Sequence, residues 1–150
     1  ETIALRFSNV YGPKSYLKNS VVAKFIRSCI NNEQIELYGN GSQTRDFIFI
    51  DDLVEAIYIS ATKKNIGGDV FQIGSGCETT VNQIAEHIIN LFQKKGIKVP
   101  LPVKVDERIG DVKRNFSDIS KAKKILGWNP KTKIKDGLEK TLEYFINEKF

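Results

Sequence analysis

Apolar and polar residues along this chain alternate between two periods. From Ser20 on, Val21, Val22, Phe25, Ile26, Cys29 and Ile30 recur at helical spacing, which predicts an amphipathic helix to about Asn32. Leu53, Val54, Ile57 and Tyr58, with Ala61 one turn on, predict a second helix with Asp51 as its N-cap. Val81, Ile84, Ala85, Ile88 and Phe92 form the buried face of a third, capped by Thr79 or Thr80. Two further helices are predicted over residues 119–126 and 136–148, separated by Gly127-Trp128-Asn129-Pro130, with Trp128 a core residue packing these tail helices. Short apolar runs over residues 2–7, 35–38, 47–50 and 69–73 read as strands bounded by turn signals such as Gly12-Pro13, Gly39-Asn40-Gly41 and Gly74-Ser75-Gly76. An extended stretch flanked by Pro100 and Pro102 runs to Val105. Strands alternating with helices imply an α/β fold with parallel pairing.

Composition narrows this picture without redirecting it. A chain of 150 residues, 41% apolar and 27% charged, suits one domain with a sizeable core, and no linker or internal repeat divides it. No apolar run approaches the ~18 residues of a membrane helix, and no signal-peptide pattern opens the chain, so no membrane partner and a cytoplasmic location are expected. Cys29 and Cys77 lack CxxC spacing or a nearby His cluster, which argues against a disulfide framework and against any metal site. The chain opens at Glu1 and contains no Met, which reads as an excised piece or a processed start. The net charge of +5 divides into −2 over residues 1–93 and +7 over residues 94–150. The basic half spreads its lysines through helical patterns without interleaved aromatics, so a solvated surface is expected and nucleic acid is not.

Much familiar chemistry is absent. Gly39-x-Gly41 and Gly74-x-Gly76 are followed by Thr44 and Thr79 where a third dinucleotide-loop glycine would stand, and no GK[ST] occurs. No tyrosine is followed four residues later by lysine. His87, the only histidine, falls on the polar side of its helix and reads as structural. Asp51-Asp52 reads as a cap plus an exposed first-turn acid in preference to a paired carboxylate site. Anion-binding chemistry remains. Arg45 follows a Gly-rich turn and Arg108 sits in Arg108-Ile109-Gly110-Asp111, and two guanidinium forks on the ends of rigid elements suit a diphosphate.

Read together, these segments resemble one family. Arg6-Phe7-Ser8-Asn9-Val10-Tyr11-Gly12-Pro13 resembles the strand and turn that follow the catalytic helix of extended short-chain dehydrogenases. The run from Tyr38-Gly39-Asn40-Gly41 through Thr44-Arg45-Asp46-Phe47 to Asp51-Asp52 resembles the entry to their substrate lobe. Arg108-Ile109-Gly110-Asp111, Asp118-Ile119-Ser120-Lys121-Ala122 and Leu126-Gly127-Trp128-Asn129-Pro130 resemble their C-terminal signature. The order is the family's and spans nearly the whole chain. The chain is most similar to nucleotide-sugar epimerases and dehydratases, particularly the UDP-glucose 4-epimerase type.

The resemblance implies that residues 1–150 are one C-terminal, substrate-binding region: part of a Rossmann-type doubly wound sheet plus the small α/β substrate lobe. The Gly-rich loop and the catalytic Tyr-x-x-x-Lys of such enzymes lie in the N-terminal half, so this chain carries no catalytic residue and is expected to be inactive alone. Its parent would use NAD to oxidise and re-reduce C4 of a UDP-sugar. A 4,6-dehydratase or decarboxylase of the same family, and a non-catalytic nucleotide- or polyanion-binding module, are the alternatives. UDP is preferred on overall similarity alone.

Position by position, the resemblance assigns Asn9 to the substrate diphosphate, Arg45 and Arg108 to clamping its phosphates, and Asp111 to the ribose. Tyr38 lines the pocket for the base, Asn19 and Val21 form the substrate-facing start of a helix, and Phe7 lies near the nicotinamide. The parent is expected to be a homodimer through helices outside this chain. The isolated chain is expected to expose a sheet edge, through which it could self-associate.

Overall fold

The computed structural model describes residues 2–148; the opening residue Glu1 lies outside them. Among the described residues three of four strand pairs are parallel. Strand β1 (Ala4–Phe7) pairs with β6 (Val70–Ile73), β2 (Asn9–Tyr11) with β5 (Phe47–Phe49), and β3 (Glu36–Tyr38) with β8 (Val103–Val105). The fourth pair, β4 (Thr44–Arg45) with β7 (Thr79–Thr80), is antiparallel. The helices are α1 (Val21–Ile30), α2 (Ile50–Thr62), α3 (Val81–Lys94) and α4 (Ile134–Asn147), with a π-helical turn over Ala122–Leu126. That turn stands where an ordinary helix is predicted over 119–126, and Gly127 closes it in the left-handed conformation (φ +71°) that favours glycine.

Two cores share one strand. Phe47 and Phe49 point into a core built from α1, α3 and α4, with Val22, Phe25, Ile26, Ile84, Ile88, Phe92, Leu138 and Leu142 at its centre. Ile48, between them, points the other way into a core made by Leu53 and Ala56 of α2, Phe71 and Ile73 of β6, Ile119, Leu126 and Trp128. Period-2 alternation with every position apolar places β5 between the two. Trp128 is a core residue, as predicted, but it packs on α2 and the π-turn, while α4 belongs to the other core.

Three expectations are corrected. Asp51 does not cap α2: the helix begins at Ile50 with Phe49 as N-cap, and Asp51 is an exposed first-turn acid. Asp52 is not exposed but 4% accessible, because its carboxylate accepts the backbone N–H of Lys131 (3.1 Å) and of Thr132 (3.0 Å) and ties the tail to α2. Of the predicted apolar stripe of α2 only Leu53 is buried, and Ala61 is exposed with the rest. Leu53, Ala56 and Ser60 face the core, whereas Val54, Ile57 and Tyr58 are exposed. The predicted cap of α3 stands: Thr80 and Gln83 form a reciprocal capping box.

Cys29 of α1 lies in the first core, and its burial pushes the thiol up to about 11. The fold therefore favours the neutral thiol. Its contribution is complete below the ordinary thiol value and is lost as pH rises from there through about 11. Urea unfolding followed across that window is expected to show a stability loss of about 2 kcal/mol at most, absent in Cys29→Ala. An identical slope in the variant would assign the loss to another group.

Candidate functional site: a polar groove along the strand ends

Arg45 is the hinge of the site. It ends β4, and its guanidinium donates to the Thr44 carbonyl (2.7 Å), to the Val112 carbonyl and to the Asp111 carboxylate. That ion pair is three-quarters or more enclosed on both sides and fastens the otherwise exposed segment 106–118 to the body. The Thr44 N–H to Lys113 carbonyl bond (3.0 Å) and the Arg114–Glu78 pair fasten the same segment. Arg108 extends from it until its guanidinium carbon lies 3.9 Å from the centre of the Tyr38 ring. Lys24 of α1 approaches the same ring at 5.5 Å and pairs with Glu36 at 2.6 Å. Hydrogen bonding to Arg108 first, and the Lys24 charge next, hold the Tyr38 phenol below its ordinary pKa.

The structure brings most of the sequence-predicted residues together. Asn19, Val21, Tyr38, Arg45, Arg108 and Asp111 line one cavity of about 180 Å³. A neighbouring cavity of about 170 Å³ shares Asn19, Val21 and Arg45 with it and adds Asn9. A third, of about 470 Å³, shares Asn9 and adds Phe7. The shared walls give an order along the groove: Tyr38 and Arg108, then Arg45, then Asn9, then Phe7. Asn9 donates its Nδ2 to the Asp46 carbonyl (3.1 Å), so it is held across to β5 rather than satisfied within its own turn. The Asn19 side-chain carbonyl accepts from Arg27 (3.3 Å), which also donates to the Tyr16 and Lys18 carbonyls and so shapes the loop into α1.

Sequence reasoning missed Lys24, Glu36 and Gln43. Lys24 follows Val21 by three, and Glu36 precedes Tyr38 by two, so helical and strand periods place both beside residues that were singled out. Gln43 donates to the Tyr38 carbonyl (3.2 Å). His87 lies elsewhere, half-buried in a groove between α3 and α4 with Lys94, Lys135 and Glu139. Burial, then the Lys135 charge, lower its pKa.

A family model described as GDP-mannose 4,6 dehydratase matches residues 1–141. The chain belongs to that family. Epimerases, 4,6-dehydratases and decarboxylases of nucleotide sugars stand together among its relatives. The human dTDP-D-glucose 4,6-dehydratase is 34% identical over 145 residues, 95% of this chain and 41% of that protein. The UDP-glucose 4-epimerase of Thermotoga maritima, solved with UDP-glucose, is similar at 37% identity and a TM-score of 0.87 over 97% of this chain and 46% of that one. MoeE5, solved with UDP-glucuronic acid and NAD, is similar at 31% identity and a TM-score of 0.86, with 97% and 47% covered. The chain thus spans about half the length of the relatives it matches. Its architecture is that of the C-terminal part of the Rossmann-type sheet plus the small α/β lobe. No helix among the described residues is long and apolar enough to cross a membrane.

The residues present fit one wall of a dinucleotide site. Phe7 is half exposed at the carboxyl end of β1, beside Ser8 and Gln72, where open parallel sheets take ligands. The sequence holds no GxGxxG loop to cradle a pyrophosphate.

Proposed function

We propose that this chain is the substrate-binding region of an NAD-dependent nucleotide-sugar epimerase of the UDP-glucose 4-epimerase type. One observation carries the reading: two arginines from distant parts of the chain, Arg45 and Arg108, line the same cavity with Asp111 and Tyr38. The 37% identity to an epimerase solved with UDP-glucose supports this choice of reaction type.

In this reading the two guanidinium forks hold the diphosphate, because planar paired donors match phosphate oxygens. Asp111 exchanges Arg45 for the ribose hydroxyls, which releases Arg45 donors toward the phosphates. Tyr38 and the backbone after it form the wall for the base. Asn9, Asn19 and Val21 face the diphosphate and sugar, and Phe7 and Ser8 back the nicotinamide. NAD, when bound, supplies the hydride acceptor for C4 of the sugar. The proton-transfer groups are not among these residues, so the chain alone turns nothing over. The parent is a cytoplasmic homodimer in the same reading, in keeping with the free thiols of Cys29 and Cys77.

The test is a calorimetric titration of the folded chain with UDP and with GDP, repeated on Arg108→Ala. UDP is expected to bind more tightly than GDP, and the substitution to weaken it about tenfold or more through one lost charge-assisted contact. Equal affinity of both proteins for UDP would remove Arg108 from the clamp. Turnover of UDP-glucose by this chain with added NAD would overturn the division of labour.

A further inference from the structure

Asp46 stands between the clamp residue Arg45 and the core residue Phe47, and it is 2% exposed. It lines the cavity of about 470 Å³, yet its carboxylate is committed to protein donors. Oδ1 accepts the backbone N–H and the hydroxyl of Ser75, both at 2.7 Å, and Oδ2 accepts the N–H of Gly76 at 3.0 Å and of Ser117 at 3.2 Å. Four donors occupy the roughly four lone-pair sites of a carboxylate, which leaves Asp46 no free acceptor site for a ligand. Its backbone carbonyl takes both the N–H and the side-chain Nδ2 of Asn9, at 2.9 and 3.1 Å.

One residue therefore joins three segments that the chain separates widely: the junction of β1 and β2, the turn after β6, and the segment that returns to the sheet at Ser117. The first and the last of these, with Asp46 itself and Gln72 of β6, line the cavity of about 470 Å³ at the strand ends. The neighbourhood is built around this carboxylate. A Cβ on Gly74 would lie 2.6 Å from Asp46 Oδ2 and 2.2 Å from Ser8 Oγ, and Ser8 itself shares a hydrogen bond of 2.8 Å with Ser117. Even alanine at position 74 would push the acid or the serine aside.

We infer that Asp46 is the positioning residue of the groove: it presents Asn9 to the ligand and holds the 115–118 segment closed over the strand ends without touching ligand itself. This rests on the nucleotide-sugar reading only for the identity of the ligand. It predicts that damage at Asp46 appears at Asn9 and Ser117, remote in sequence, ahead of the rest of the fold.

The experiment is solution NMR on the labelled chain. In the wild type, scalar couplings through the hydrogen bonds are expected from the Ser75, Gly76 and Ser117 amides to the Asp46 carboxyl carbon; their absence overturns the inference with no variant needed. Asp46→Asn places an amide donor against those donors. It is expected to shift the Asn9 side-chain amide signals and to raise hydrogen exchange at Gly76 and Ser117 about tenfold. Asp52→Asn is the control, a second buried carboxylate that accepts two backbone amides, in the tail. It should raise exchange at Lys131 and Thr132 and leave Asn9 unmoved. Equal movement of Asn9 in both variants would make Asp46 one more stabilising acid and overturn the assignment. UDP titration of Asp46→Asn separates the two readings: Asn9 signals that move in a chain whose wild type ignores UDP remove the nucleotide and leave the positioning role standing.

Discussion

Trp128→Ala is expected to lower the unfolding free energy by about 3–5 kcal/mol, the usual range for emptying a buried aromatic site. The indole is 1% exposed and fills the core between α2, β6 and the π-turn. Its N–H also donates to the Asp52 carbonyl at 3.0 Å, so the substitution leaves a buried backbone acceptor without that partner as well as a cavity. Against a typical total of about 5–15 kcal/mol, this loss brings the chain close to its folding threshold. Urea unfolding read by far-ultraviolet circular dichroism checks it, since the only tryptophan is the residue removed. Trp128→Phe separates the two contributions: most of the packing stays, and about 1 kcal/mol goes with the hydrogen bond. A loss below 1 kcal/mol for Trp128→Ala would mean that the second core closes over the gap.

Arg45→Ala has the second large effect, and it divides between ligand and loop. On the proposed function, removing one fork of the clamp weakens UDP about 10- to 100-fold, from the 1.5–3 kcal/mol net of a charge-assisted contact. The same substitution strips Asp111 of its ion-pair partner and the Val112 carbonyl of its donor, so segment 106–118 loses its central fastening. Arg45→Lys keeps the charge but not the planar fork, and should recover the affinity only in part. Calorimetry reads the affinity, and protease cleavage within 106–118 reads the fastening. Affinity lost with cleavage unchanged would assign Arg45 to the ligand alone. Cleavage that rises with affinity unchanged would make it a structural latch.

Helices α1 to α4 were legible because each presents about three turns or more of periodic residues. The strands were legible only where an apolar run was long enough. The run over 2–7 and that over 69–73 became β1 and β6, but β2 has three residues and its Asn9 and Tyr11 look like turn residues in sequence. Strands β4 and β7 have two residues each, and no pattern of period 2 exists at that length. Helix α2 shows the limit of periodicity. Val54 and Ile57 satisfy the spacing as well as Leu53 and Ala56 do, and only the position of the sheet decides which of them is covered. In the site, Arg45, Arg108 and Asp111 were found through their motifs, and the structure gathers them. Lys24 and Glu36 carried no motif. Asp46 sat inside one, yet its role depends on three backbone amides from remote segments, which no local pattern encodes.

The alternation of Phe47, Ile48 and Phe49 bears on how the molecule comes apart. Two hydrophobic clusters usually permit two melting steps, one for each. Here every residue of β5 is the floor of one cluster and, through its neighbours, the anchor of the other, so neither can open without stripping the strand that supports its counterpart. The chain is therefore expected to unfold in one cooperative step despite its divided interior. Arg45 and Asp46 lead directly into that strand, so the 106–118 segment they hold is fastened to the one strand on which both clusters depend.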